Sequence, residues 1–137
     1  MNKPCVSAIF TNDKGEILLQ DHVKLDRYTL PGGKVDPGEK SKDALVREVR
    51  EELGVTITKA YAVGRANLGK QEYPAHSGNF IHFTQEYFVV QEYSGRITNK
   101  EPNKHRDLVW VRPEDFSKLP RDISNALRLA VENNFIN

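Results

Sequence analysis

Glu48, Glu51 and Glu52 stand at i, i+3 and i+4 within a run of strong helix formers, residues 40–53, bounded by a glycine-rich turn and by Gly54. On a helix those three carboxylates share one face. Leu45, Val49 and Leu53 form an adjoining apolar stripe, which must dock on another layer to leave water. The run therefore demands a fold that buries one side of a helix and holds three acids at its edge. Ser41, or the acidic turn before it, is expected to satisfy the first free N–H groups, and Gly54 to stop the helix.

Glu48 and Glu52 are a like-charge pair, unfavourable by roughly a few tenths of a kcal/mol in an isolated helix. Arg47 reaches Glu51 at i+4 and leaves the other two acids without a local cation. Hard oxygen ligands short of positive charge suit Mg²⁺, or alternatively Mn²⁺, since both accept octahedral oxygen shells. Taken alone, an E-x-x-E-E triplet more often reads as a solvated acidic face.

The longer pattern changes that weighing. From Gly33 to Val55 the chain reads GKVDPGEKSKDALVREVREELGV. It resembles the Nudix box, G-x5-E-x7-R-E-U-x-E-E-x-G-U with U a bulky apolar residue. Gly33, Glu39, Arg47, Glu48, Val49, Glu51, Glu52, Gly54 and Val55 occupy its specified positions. The preceding YTLPGG, residues 28–33, resembles the family's entry into the box. The resemblance implies an α/β fold, an α/β/α sandwich with a mixed central sheet, with residues 1–137 forming a single Nudix hydrolase domain. It also implies a metal-dependent enzyme that hydrolyses a nucleoside diphosphate linked to another moiety, with water attacking one phosphorus of the pyrophosphate.

The surrounding residues supply a strand–loop–helix context. Residues 5–10 (CVSAIF) and 17–20 (ILLQ) are apolar runs separated by a turn cluster, and read as a hairpin. A strand over 28–30 is expected to feed the Pro31-Gly32-Gly33 turn. Further strands are expected over 59–68, 80–92 and 108–111, with a polar loop over 69–79. Ile123, Ala126, Leu127, Ala130 and Val131 fall at helical spacing, predicting an amphipathic helix from about Asp122 to Asn133 or Asn134. A mixed sheet with a helix on either side buries both helical stripes.

The resemblance carries roles onto particular residues. Glu48, Glu51 and Glu52 become the core metal ligands, with Glu52 or Glu48 also helping to activate water, and the Gly32 carbonyl joins the shell. Arg47 orients a glutamate, and Glu39 binds a second metal or holds its loop. Glu101, in the segment before LVWV, matches a region where MutT-like members carry a further acidic ligand or base; a plain loop carboxylate is the alternative. Lys104, His105 and Arg106 are candidates for phosphate contact, as are Arg27 and Lys34 beside the glycine turn; a solvated basic patch balanced by Asp107 is the competing reading.

Tyr28, Tyr73, Phe80, Phe83 and Trp110 are candidate base-stacking aromatics, with sheet packing the more usual use of Trp110. His76 and His82 lack zinc-ligand spacing. Cys5 has no internal disulfide partner and reads as a small buried hydrophobe.

A net charge of +1 gives no generic pull toward nucleic acid or an anionic membrane. No signal peptide and no long apolar run is visible, so the expectation is a cytoplasmic protein without membrane partners. Nucleic acid is not expected as a partner except as an RNA 5′ end. A homodimer stays open, since no residue requires one.

The substrate expected from the resemblance is a (d)NTP, canonical or oxidised, cleaved to NMP plus pyrophosphate. Dinucleoside polyphosphates, nucleotide sugars and RNA 5′ ends are alternatives, as is a non-catalytic nucleotide-binding module. Tyr73, 18 residues past Val55, stands where a tyrosine in this family is associated with dinucleoside polyphosphates.

Overall fold

The computed structural model describes residues 2–136. In chain order it contains β1 (Asn2–Ile9), β2 (Ile17–His22), β3 (Arg27–Thr29), β4 (Gly32–Lys34), α1 (Ser41–Leu53), β5 (Thr56–Glu72), β6 (Phe80–Ser94), β7 (His105–Val111), a 3₁₀ turn (Pro113–Lys118) and α2 (Asn125–Glu132). The strands form two ladders, β4-β1-β6-β5 and β3-β2-β7. The first is mixed: β1 runs parallel to β6 and antiparallel to β4.

Strand alternation sorts the core to two sides. Val6, Ala8, Phe10 and Leu18 pack with Ala44, Leu45, Val49 and Leu53 of α1. Ile9, Ile17, Leu19 and Tyr87 pack instead with Leu127 and Ala130 of α2. One helix therefore covers each side, as the two apolar stripes demand. Among the described residues no helix is long and apolar enough to cross a membrane.

Several sequence expectations change in detail. Residues 11–16 do make a tight turn, with Asn12 Oδ1 accepting the N–H groups of Lys14 and Glu16. The runs on either side, however, pair as strands at a single bridge, Thr11 to Ile17, and diverge into different sheets. Gly32 and Gly33 belong to a short strand against β1 rather than to a free turn.

The expected loop over 69–79 shrinks to 73–79, because β5 continues to Glu72 in register with Phe80. Gly69 accommodates a shift in that ladder with φ 78°. Ser41 is the first helical residue and caps nothing: Lys40 holds the N-cap position with no side-chain hydrogen bond. The C-terminal helix starts later than expected, at Asn125, where Ser124 Oγ accepts the Leu127 N–H at 3.2 Å. That cap, not Asp122, sets the boundary.

Candidate active site

The glutamate face of α1 meets the Gly32–Lys34 strand at the wall of a cleft of about 1010 Å³. Gly33 presents bare backbone to Glu48: a Cβ there would stand 2.4 Å from the Glu48 carboxyl carbon. Gly32 approaches β1 as closely, since its Cβ would fall 2.0 Å from the Val6 carbonyl oxygen. Two adjacent glycines thus let a strand lie between β1 and the acids of α1.

Glu52 is 5% exposed. Its Oε1 accepts Gln20 Nε2 at 2.8 Å and the Gly32 N–H at 3.2 Å. Burial pushes its pKa up to about 8; the two donors pull it down, and nearby Glu48 raises it further. Two carboxyls side by side in low dielectric disfavour double ionisation, so the pair shares a deficit of positive charge.

The cation that sequence spacing offered to Glu51 is mostly used elsewhere. Arg47 Nε and one terminal nitrogen chelate both Glu39 oxygens at 2.9 and 3.0 Å. The other terminal nitrogen reaches Glu48 Oε1 at 3.0 Å and Glu51 at 3.6 Å. Arg47 also donates to the Lys34 carbonyl at 3.1 Å. Hydrogen bonding by Glu39, then by Glu48, raises the Arg47 pKa, and the same contact with Arg47 lowers that of Glu39. Arg47 therefore ties the loop carrying Glu39 to α1 and orients Glu48 from behind. Glu48, Glu51 and Glu52 line the cleft, whereas Arg47 and Glu39 do not.

The remaining candidates divide. Lys34, Arg27, Glu101 and Lys104 line the cleft. Lys34 Nζ bonds the Tyr73 hydroxyl and sits 3.7 Å from the ring centroid, lowering the Tyr73 pKa. Lys104 pairs with Glu101 at 3.3 Å, and Arg27 with Asp122 at 3.2 Å. Arg106 is turned away, gripping buried Asp21 at 2.9 Å and Asp26 at 3.0 Å while Arg121 holds Asp21 from another side. Trp110 packs against the α1 side of the core, and Phe83 is buried, while Phe80 stands 63% exposed at the tip of the β5–β6 ribbon.

Glu101 is held near the acids by backbone. The N–H groups of Thr98 and Lys100 donate to the Leu53 and Glu52 carbonyls at 2.9 Å each, closing the C-terminal end of α1. Asn99 Oδ1 then accepts the Glu101 N–H at 3.2 Å, and Asn99 Nδ2 donates to the His105 carbonyl at 2.7 Å.

The donor set suits a hard divalent cation: carboxylate oxygens, one of them buried beside another, next to exposed backbone. Among the described residues no three acidic, imidazole or thiol groups already stand close enough to enclose an ion. Glu51, whose side chain is 52% exposed, would have to leave Arg47 to join Glu48 and Glu52. Its exposure and its long contact with Arg47 leave that side chain free to turn, and three carboxylates on one helix face fit the ion.

Sequence reasoning missed Gln20 and His22; His105, a phosphate candidate from its basic neighbours, instead meets the His22 ring edge to face at 5.4 Å on the cleft wall. The polar end of the ILLQ run was the available signal for Gln20. The histidines are separated by more than eighty residues of chain and gave none for their meeting.

Comparison with known proteins places this geometry. The NUDIX domain family matches residues 1–131. The CTP pyrophosphohydrolase of Escherichia coli (strain K12) is 34% identical over 118 residues, covering 84% of this chain and 79% of that protein. An RNA pyrophosphohydrolase of Ruthia magnifica subsp. Calyptogena magnifica is 45% identical over 52 residues, covering 38% of this chain and only 29% of that protein. The crystal structure of a MutT NUDIX hydrolase from Burkholderia pseudomallei superposes with a TM-score of 0.78 at 29% identity, covering 96% of this chain and 97% of that one. A glycine strand laid against a three-glutamate helix, on this fold and with this match, identifies the chain as a member of the NUDIX domain family and a Nudix hydrolase.

Proposed function

We propose that residues 1–137 work as a single Nudix domain that hydrolyses a nucleoside triphosphate, ribo or deoxy, to the monophosphate and pyrophosphate, using Mg²⁺ or Mn²⁺ in the cytoplasm. The observation that carries this is the buried Glu52 beside Glu48, on the wall of a cleft that also bears Lys24, Lys34 and Lys104. A polyphosphate needs such a cationic border, and the acids need a divalent ion between themselves and it.

Glu48, Glu51 and Glu52, with the Gly32 carbonyl, would hold the ion. What it supplies when bound is charge neutralisation at phosphate oxygens and a lower pKa for the attacking water. Glu52 or Glu48 accepts the proton from that water as its oxygen bonds to phosphorus and the anhydride P–O bond breaks. Lys34 and Lys104 offset charge on the departing pyrophosphate. Positioning and charge neutralisation carry most of the rate in such a transfer.

The extended similarity to a CTP pyrophosphohydrolase favours cytidine triphosphates as the first substrates to try. A second reading, removal of pyrophosphate from a triphosphorylated RNA 5′ end, is supported by the shorter match to RNA pyrophosphohydrolases.

Chromatographic product analysis tests both. The panel holds canonical and oxidised NTPs and dNTPs, dinucleoside polyphosphates, nucleotide sugars and 5′-triphosphorylated RNA, with Glu51→Gln as the blank. Metal-dependent monophosphate plus pyrophosphate, from cytidine triphosphates above all, is the expected result. Preference for RNA moves the second reading forward. Nucleotide binding with no turnover of any substrate overturns the enzymatic proposal.

A further inference from the structure

Gln20 is 2% exposed within β2, directly after Ile17, Leu18 and Leu19, which are equally buried. An amide in such surroundings is unfavourable unless satisfied, and its Nε2 finds its acceptor in Glu52 Oε1 at 2.8 Å. β2 is the middle strand of its ladder, held by β3 and β7, so the amide comes from a rigid element. It crosses from the second sheet to a helix that packs on the first. The Gly32 N–H also reaches Glu52 at Oε1. Both protein donors thus claim one oxygen, and among the described residues no donor reaches Oε2.

We infer that Gln20 is the positioning residue of the metal centre: it pins Glu52 Oε1 so that Oε2 faces Glu48 and the ion. This rests on the proposal that Glu48, Glu51 and Glu52 hold a divalent cation. Ligating carboxylates are commonly oriented by outer hydrogen bonds of this kind, whose loss weakens metal binding by about 10–100-fold. Gln20→Met keeps the length and volume and removes the Nε2 donor, together with the Oε1 that accepts the Thr29 hydroxyl at 3.5 Å.

The test is a Mn²⁺ titration of the nucleotide-free protein, read by the EPR signal of the free ion, on wild type, Gln20→Met, Glu52→Gln and the double variant. Gln20→Met should weaken Mn²⁺ by about 10–100-fold. In the Glu52→Gln background the same change should weaken it no further. At saturating metal, kcat should fall while KM for the nucleotide holds. Gln20→Asn, one methylene too short to reach Glu52, should behave alike and serves if the methionine variant does not fold.

Mn²⁺ affinity within twofold of wild type in both Gln20 variants, with Glu52→Gln impaired, overturns the role of Gln20 alone. An equal loss in the Glu52→Gln background also overturns it, because Gln20 would then act by another route. Unimpaired Mn²⁺ binding by Glu52→Gln overturns the assignment of the metal site and this inference with it.

Discussion

Glu52→Gln should make the metal-free protein more stable while abolishing its function. The wild-type carboxyl is held near pH 8 instead of its ordinary 4.5, chiefly by burial. The fold favours the protonated acid, so the contribution of Glu52 is complete below pH 4.5 and is lost as pH rises toward 8. At about 1.4 kcal/mol per pH step, full ionisation costs the fold up to roughly 5 kcal/mol. A glutamine at this position keeps an oxygen to accept from Gln20 and Gly32 and carries no charge at any pH. Its amide also gives Glu48 a donor where wild type has a second acid. With local relaxation the gain at pH 7.5 should be about 2–4 kcal/mol, or roughly 8–15 °C in Tm for a chain of this size.

The assay is thermal unfolding in EDTA at pH 5, 6, 7 and 8 for both proteins. The Tm difference should be small at pH 5 and widen at each step. Mg²⁺ should then raise the wild-type Tm more at pH 8 than at pH 5 and leave the variant nearly unmoved. A variant no more stable than wild type at pH 8, or a difference that does not grow with pH, refutes the claim that Glu52 is a desolvated acid waiting for a cation.

Arg47→Lys should lower both Tm and kcat, because an ammonium cannot span Glu39, Glu48 and the Lys34 carbonyl at once; a loss of about 1–3 kcal/mol in denaturant unfolding is expected, and wild-type behaviour would show that the fork is dispensable. Gly33→Ala places a methyl group against the Glu48 carboxyl, so kcat should drop by about a hundredfold with circular dichroism unchanged, and retained activity would remove Glu48 from the site. Glu101→Gln should reduce kcat by about tenfold or more and alter its pH profile if Glu101 handles a proton; an unchanged rate and profile would leave it as the partner of Lys104.

The helix α1 and its glutamate face were legible because their information is local: a helical period, a run of good formers and a stopping glycine. The box resemblance added the glycine entry. The fate of residues 5–20 was not legible, since two apolar runs joined by a good turn look like a hairpin whether they pair or part. What separates them is distant: β6 takes the side of β1, and β7 that of β2. Residues 69–72 at the end of β5 were hidden because their side chains are mostly exposed and show no burial alternation, so only their pairing with β6 makes them strand. Arg106 looked like a phosphate ligand from its neighbours in sequence, yet buried Asp21, from a different strand, claims it. Gln20 and Glu52 are likewise an encounter that no local rule encodes.

The amides of Thr98 and Lys100, bonded to the last carbonyls of α1, act as a gauge on the cleft. They join the segment bearing Glu101 to the helix bearing Glu52, so those two acids travel together as one jaw. The Val23 N–H, bonded to the Lys104 carbonyl at 2.8 Å, ties the neighbouring rim to the same jaw, so widening the mouth for a bulky substrate falls to the rim at Ser124, Asn125 and Ala126. Solvent exchange of the Thr98 and Lys100 amide protons should stay slow through the catalytic cycle, while the rim at 124–126 quickens and slows with each substrate that enters and leaves.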